Sequence, residues 1–284
     1  MGGVLVTGAR LPWWRRRRVA RALPPPPALH GRYRWAYDTR GPKVRLGLLW
    51  FAAAVAAARL GAVALAVLYG SVGAVAAVQA SLSWRRGRSA QPHRLAAATI
   101  AGGMAVAGLG GPVVILGAVA VAALLAVGVP GPAPTGSTEG TGAFARATLR
   151  CGLPVGLAVA APALVHGVGP EVALLLVLLV STYEAGDFLI GSGAANLLEG
   201  PLAGAIGVLA MTFPASLVEP QPLSSRLTWA LGGLTALCCP LGQLVASAIL
   251  PRGNVFAPAL RRVDSLVVTG PMWVMVLVAT HGLW

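Results

Sequence analysis

Long apolar stretches alternate with short polar clusters along most of the chain. From Leu46 onward each apolar stretch has roughly the length of one membrane crossing and is closed by Arg, Pro or Gly. A helix of about 20 residues crosses the roughly 30 Å of hydrocarbon in a bilayer. The pattern therefore predicts an all-α fold, a polytopic transmembrane helical bundle of about nine spans. The predicted spans are two within residues 46–83, separated near residues 59–61, and one each at 95–110, 112–129, 152–168, 171–190, 201–218, 228–250 and 265–284.

The composition supports this prediction. Apolar residues make up 56% of the 284 residues, and the mean hydropathy is +0.75, well above the values of soluble domains. These values argue against an ordinary cytosolic enzyme and against a chain that is disordered throughout. The 3 cysteines, Cys151, Cys238 and Cys239, lack the paired spacing of a zinc site and are too few for a disulfide framework.

The placement of basic residues predicts the orientation. The chain has 22 Lys and Arg against 8 Asp and Glu, a formal net charge of +14. The basic residues cluster before the first predicted span, between the second and third, after the fourth and after the eighth. Short loops rich in Lys and Arg stay in the cytoplasm. We therefore expect an integral membrane protein with a cytoplasmic N-terminus and, with nine spans, a C-terminus on the other side.

Four segments are predicted. Residues 1–45 form a basic, Pro/Arg-rich cytoplasmic arm, disordered or lying on the surface, which either flanks the first span or attracts anionic lipid. Residues 46–129 hold the N-terminal spans. Residues 130–150, rich in Pro, Gly and Thr at their start, are typical of a flexible cytoplasmic linker. Residues 151–284 form the C-terminal transmembrane domain. Nucleic-acid binding is not expected, because a run of Arg alone does not specify it.

Four of the eight acidic residues fall at predicted cytoplasmic ends: Glu184, Asp187, Glu199 and Asp264. Glu184 and Asp187 are three residues apart and so share one helix face. A charge inside a span is costly unless it faces protein or water. Asp264 follows directly on Arg261 and Arg262 at the start of the last predicted span. Acids and arginines gathered at one membrane surface are typical of a site for a divalent metal and phosphate.

The same residues would also suit purely structural roles, without a metal or phosphate. Asp264 would also suit a helix N-cap with a local ion pair to Arg262. Glu184 and Asp187 would also suit a contact with a neighbouring arginine that only holds helices together. Both interpretations stay open on the sequence.

Residues 240–271 contain the stretches PLGQLVASAILPR and RRVDSLVVTGP. They are similar to the patterns GDLxESxxKR and LDRxDSL with a following Pro, so the C-terminal half resembles the phosphatidate cytidylyltransferase (CDP-diacylglycerol synthase) family. The stretch EAGDFLIG is similar to DxxAYxxG, and LLEG to TWEG. The residues that carry the likeness are Glu184, Gly191, Glu199, Gly200, Gly242, Leu244, Ser247, Leu260, Arg262, Asp264, Ser265, Leu266 and Pro271.

The resemblance implies a cytidylyltransferase-like fold with a site on the cytoplasmic face, where Mg²⁺ and CTP meet phosphatidate. In that reaction a phosphate oxygen of phosphatidate attacks the α-phosphorus of CTP and pyrophosphate leaves, while metal and basic side chains neutralise charge. The implied catalytic residues are Asp264, Glu184 and Glu199. Asp264, Glu184 and Asp187 would hold Mg²⁺. Arg252, Arg261 and Arg262 would hold the substrate phosphates.

The chain also departs from the family pattern. Gln243 stands at the family's Asp, Ala246 at its Glu and Leu250 at its Lys, and the GHGG turn is missing. A neutral Gln cannot offset the charge of a metal as a carboxylate does. The departures leave open whether the protein is an active enzyme.

Two functions are expected. The first is CTP-dependent transfer of a cytidylyl group to phosphatidate or a related lipid phosphate, a step of phospholipid biosynthesis. The alternative is a non-catalytic relative that binds anionic lipid or scaffolds a membrane complex. A transporter is disfavoured, because the middle parts of the predicted spans carry almost no charge. The oligomeric state, including a homodimer, is left open.

Overall fold

The computed structural model describes residues 43–84, 91–129, 141–252 and 255–281. The chain divides into two units, Met1–Gly31 and Arg32–Trp284, and every described residue belongs to the second. These described residues form nine α-helices and no strand. The helices are α1 (Lys43–Leu60), α2 (Ala62–Ser83), α3 (Arg94–Ala107), α4 (Pro112–Gly128), α5 (Thr141–Val168), α6 (Pro170–Gly191), α7 (Glu199–Val218), α8 (Ser225–Ile249) and α9 (Leu266–His281), with short 3₁₀ helices at Gly108–Gly110 and Leu260–Arg262.

The all-α prediction is confirmed, and each of the nine predicted apolar segments contains one helix. Five helices, α2, α5, α6, α7 and α8, are long and apolar enough to cross a membrane. Helices α3, α4 and α9 are apolar but shorter. This set of helices fits an integral membrane protein. That all nine cross the bilayer stays a prediction.

Helix α5 begins earlier than the hydropathy pattern indicates. It starts at Thr141, inside the segment 130–150 that the sequence predicts to be a linker. Its first turns mix polar and apolar residues, and Phe144, Ala145 and Thr148 are buried. An amphipathic turn of this kind has low mean hydropathy, so a search for apolar stretches does not include it. Residues 130–140 of the predicted linker, and nearly all of the predicted arm, lie outside the described residues.

Helix α5 lies at the centre of the bundle. It packs against α2, α3, α4, α6 and α9, and its Val155, Ala158 and Val159 are fully buried. Small residues line these contacts: Gly73 of α2 lies against Val159, and Gly270 of α9 lies against Ala161. Close approach through small residues is the usual packing of helices in a membrane. The segments before and after the predicted linker therefore share one core.

Most described basic residues lie at one end of the bundle, which we call the basic end. They are Arg45, Arg94, Arg146, Arg150, Arg252, Arg261 and Arg262. The opposite end carries Arg226, and Arg59, which forms an exposed ion pair with Glu171 (Nη1 to Oε1, 3.0 Å).

The basic end is held together around the last turn of α8. Arg150 of α5 donates to the carbonyl oxygen of Ala248 at 2.7 Å, and the indole N–H of Trp84 donates to the carbonyl oxygen of Ile249 at 3.0 Å. The Arg150 guanidinium also lies 5.1 Å from the centre of the Trp84 ring. Basic and polar donors of this kind satisfy the free carbonyl groups at a helix C-terminus. They fix the end of α8, from which the candidate site extends.

Candidate functional site

A buried polar network joins α6 to α8 near the basic end. Tyr183 and Asp187 lie one turn apart in α6, and both are buried. The amide nitrogen of Gln243 in α8 donates to Oδ2 of Asp187 at 2.9 Å. The Tyr183 hydroxyl donates to the amide oxygen of Gln243 at 3.2 Å. We call these three residues the Gln243 network. Because a buried polar group is costly without a partner, the network satisfies groups that could not otherwise lie inside the bundle.

Asp264 lies next to this network, just before α9. The residue is only 4% exposed. Its carboxylate accepts from Arg261 (Nη1 to Oδ2, 3.3 Å) and from the Ser265 backbone N–H (2.8 Å). Arg261 also donates to the Ser247 hydroxyl at 3.0 Å. Burial raises the pKa of Asp264 to about 6, although Arg261 and the Ser265 N–H act to lower it. Asp264 does form a local ion pair, the structural interpretation left open by the sequence, but with Arg261 and not with Arg262.

Glu184 faces the same segment from α6. It is half-buried and lies close enough to Asp264, Arg262 and Asp187 to interact with them electrostatically. The Ser265 side chain faces it. The hydroxyl oxygen of Ser265 is fully buried, yet it has no partner within hydrogen-bond distance among the described residues. Buried hydroxyls nearly always have a partner, and the Glu184 carboxylate, which the Ser265 side chain faces, is the acceptor available to it within the fold.

Two glycines set the positions of these side chains. A Cβ at Gly242 of α8 would lie 2.5 Å from the carbonyl oxygen of Asp264 and 2.8 Å from that of Ser265. A Cβ at Gly204 of α7 would lie 2.7 Å from the carbonyl oxygen of Tyr183. A larger residue at either position would push the backbone of the site away, because real Cβ atoms do not approach so closely.

Unlike Arg261, Arg262 and Arg252 make no side-chain hydrogen bond to the described residues. Arg262 is half-buried, its guanidinium lies beside Gly47 of α1, and it donates no side-chain hydrogen bond to another described residue. Arg252 is exposed just after α8 and likewise makes no side-chain bond within the described ranges. No hydrogen bond to the described residues holds either guanidinium, although Arg262 lies within electrostatic range of Glu184. Both can therefore donate to an anion.

The structure brings together most of the site residues that the sequence predicts. Those that lie within electrostatic range of one another are Glu184, Asp187, Asp264, Arg261 and Arg262. Glu199 is exposed in the first turn of α7 and takes part in no ion pair or side-chain hydrogen bond with the described part of the chain.

The acidic residues do not fit a magnesium site as they are placed. In the described ranges, no group of three or more His, Cys, Asp and Glu side chains is arranged to hold a metal. Oδ2 of Asp187 already accepts from Gln243, and both carboxylate oxygens of Asp264 accept N–H groups. Mg²⁺ needs oxygen ligands at about 2.0–2.1 Å in nearly octahedral geometry. The Mg²⁺ expectation therefore rests on the resemblance alone.

Three residues take part in the site although the sequence analysis gives them no role in it. Tyr183, Gln243 and Ser247 take part in the site as neutral side chains, and a search for charged groups passes over them. A signal for them is present: Thr235, Cys239, Gln243 and Ser247 recur every fourth residue in α8 and so share one helix face. All four bond to α6, α9 or Arg261; Thr235, for example, accepts from the Trp273 indole of α9 at 2.8 Å.

No protein-family model matches the chain, and no curated protein or solved structure matches it either. The family resemblance therefore rests on the residue patterns of the C-terminal half. The function has to be inferred from the geometry of the described residues.

Proposed function

We propose that the basic end faces the cytoplasm and that its site binds the phosphate group of an anionic lipid. The orientation is supported by the described basic residues, of which only Arg59 and Arg226 lie at the other end. With nine helices crossing in turn, the N-terminal side of α1 is cytoplasmic and the C-terminal side of α9 is not. The head groups of cytoplasmic-leaflet lipids then lie at the level of the site.

The observation that carries this proposal is the pairing of an unsatisfied donor with an available cation. The buried Ser265 hydroxyl makes no hydrogen bond of standard geometry in the described structure, and the Arg262 guanidinium donates none there. Both groups face Glu184, so a phosphate group would bind beside that carboxylate. A phosphate group accepts strongly from both kinds of donor. Arg261 offsets the charge of Asp264, so Arg262 and Arg252 remain to offset the charge of the lipid phosphate.

The first candidate function is that of a membrane-embedded, CTP-dependent cytidylyltransferase-like protein acting on phosphatidate or a related lipid phosphate. A phosphate oxygen of the lipid forms a bond to the α-phosphorus of CTP, the bond from that phosphorus to the bridging oxygen breaks, and pyrophosphate leaves. Ser265 would orient the lipid phosphate, and Arg252 and Arg262 would stabilise the charge that develops on the phosphates. The resemblance in the C-terminal half supports this candidate.

The second candidate is a non-catalytic relative that binds anionic lipid or scaffolds a membrane complex. The hydrogen bond between Gln243 and Asp187 favours it, because a neutral amide stands where the resemblance expects a carboxylate. Both candidates share the binding of a lipid phosphate.

A transfer assay separates the two candidates. Purified protein in vesicles that contain phosphatidate is given radiolabelled CTP and Mg²⁺, beside the Asp264→Ala variant. Label that becomes linked to lipid, and that is lost in Asp264→Ala, supports the transferase. Absence of label from protein that is folded and still binds phosphatidate excludes the transferase and leaves the lipid-binding function.

A further inference from the structure

The amide of Gln243 is held in one orientation inside the bundle. Gln243 is only 9% exposed, and its amide oxygen accepts from the Tyr183 hydroxyl. The amide nitrogen is thereby turned towards Asp187, whose Oδ2 lies 2.9 Å away. Gly204 supports this arrangement, since it lets α7 pack directly on the backbone and ring of Tyr183.

Asp187 belongs to a cluster of acidic and basic side chains. Glu184 and Asp264 both lie within electrostatic range of it. Arg261 pairs with Asp264 and Arg262 lies within electrostatic range of Glu184, so two guanidinium groups offset part of this charge. A divalent cation with carboxylate ligands would be the other way to offset it. Here one lone pair of Oδ2 is taken by an N–H donor at 2.9 Å, whereas Mg²⁺ would need that oxygen at about 2.0–2.1 Å. Because the Gln243 nitrogen lies 2.9 Å from Oδ2, no cation fits between these two side chains while the hydrogen bond is formed.

We infer that the Gln243 amide replaces a divalent cation at Asp187, so that the protein folds and maintains its polar site without a resident metal. The same geometry makes Gln243→Glu a substitution that creates a divalent-metal site. It exchanges the N–H donor for a carboxylate of almost the same shape, directly opposite Asp187, which itself lies within electrostatic range of Glu184 and Asp264. This inference goes beyond the proposed function, because it holds whether the protein transfers cytidylyl groups or only binds lipid.

Mn²⁺ is the probe for the test, since its free form is measured directly by electron paramagnetic resonance. The full-length protein in detergent micelles is titrated with Mn²⁺, and its thermal midpoint Tm is recorded in EDTA and in Mn²⁺. The wild type is expected to take up no stoichiometric Mn²⁺ and to have the same Tm in both. Gln243→Glu is expected to bind one Mn²⁺ per chain, with a Tm below that of the wild type in EDTA and raised by Mn²⁺.

Three control variants test whether Mn²⁺ binding requires both a carboxylate at position 243 and Asp187. Gln243→Leu removes the amide without adding an acid, and its lower Tm should not respond to Mn²⁺. Gln221→Glu makes the same chemical change at an exposed position of the opposite end and should create no Mn²⁺ site. Adding Asp187→Asn to Gln243→Glu should abolish the Mn²⁺ uptake.

Two results would overturn the inference. One is stoichiometric Mn²⁺ uptake by the wild type that is lost in Asp187→Asn, which decides the question even if Gln243→Glu does not fold. The other is a folded Gln243→Glu protein that neither binds Mn²⁺ nor changes its Tm with it.

Discussion

Gly242 of α8 packs directly on the backbone of Asp264, so closely that a Cβ at position 242 would lie 2.5 Å from the Asp264 carbonyl oxygen. Helix α8 therefore sets the position of the segment that carries Arg261, Asp264 and Ser265. The same helix supplies Gln243 and Ser247, which bond to Asp187 and Arg261. One helix thus fixes both the network and the charged residues of the site.

The first prediction concerns this contact. Gly242→Ala should lower the free energy of unfolding by about 1–3 kcal/mol, because the added methyl group has to displace the backbone of residues 264 and 265. The measurement is Tm in detergent, together with phosphatidate binding. Gly233→Ala is the matched control: it lies in the same helix, and a Cβ there meets nothing within 4 Å. Equal Tm values for the two variants would show that the packing of α8 does not position the site.

The second prediction separates two arginines of α5. Arg150→Ala should lower Tm by several degrees, since it removes a charged donor from the carbonyl group of Ala248 and leaves Trp84 without its cation. Arg146→Ala removes the same charge one turn earlier from an exposed position and should leave Tm nearly unchanged. If both substitutions have the same effect on Tm, the hydrogen bond from Arg150 to α8 does not stabilise the bundle.

The third prediction contrasts two serines. Ser265→Ala should raise the stability of the ligand-free protein by about 1–3 kcal/mol, because it removes a buried hydroxyl that has no partner in the described structure. Ser247→Ala should lower it, because its hydroxyl accepts from Arg261. The changes are measured as Tm in the absence of lipid. A Ser265→Ala protein that is less stable than the wild type would show that this hydroxyl has a partner within the fold.

The fourth prediction concerns orientation. Ala195→Cys lies in the exposed turn between α6 and α7 at the basic end, and Gln221→Cys lies in the loop between α7 and α8 at the other end. A membrane-impermeant maleimide applied to intact cells should label Gln221→Cys, and should label Ala195→Cys only after the membrane is opened. The native cysteines are buried. The reverse pattern would invert the topology, and labelling of both from one side would show that α7 does not cross.

Much of the fold could be predicted from hydropathy, because a helix that crosses a bilayer must be apolar along its length. The separation of α1 from α2 near Arg59 and the start of α4 at Pro112 both follow from polar or helix-breaking residues that interrupt apolar stretches. The start of α5 at Thr141 could not be predicted in this way. Its first turns are buried on one face only, and that face is defined by neighbouring helices.

The site could be predicted only in part. Charges are rare in this chain, so Glu184, Asp187 and Asp264 are conspicuous, and the structure places them near one another. Which arginine pairs with Asp264 depends on the turn at residues 260–265, and that turn is not evident in the sequence. The bond between Gln243 and Asp187 joins residues 56 positions apart, and it depends on how α6 and α8 pack.

The most direct test of the central proposal is the affinity for phosphatidate. Binding of phosphatidate to the purified protein in nanodiscs is measured against phosphatidylcholine, for the wild type, Arg262→Gln and Arg59→Gln. Loss of the Arg262 guanidinium removes a charge-assisted hydrogen bond and should weaken phosphatidate binding roughly 10- to 100-fold, while Arg59→Gln, at the opposite end, should bind like the wild type. Unchanged affinity in Arg262→Gln, or no preference of the wild type for phosphatidate over phosphatidylcholine, would contradict the account.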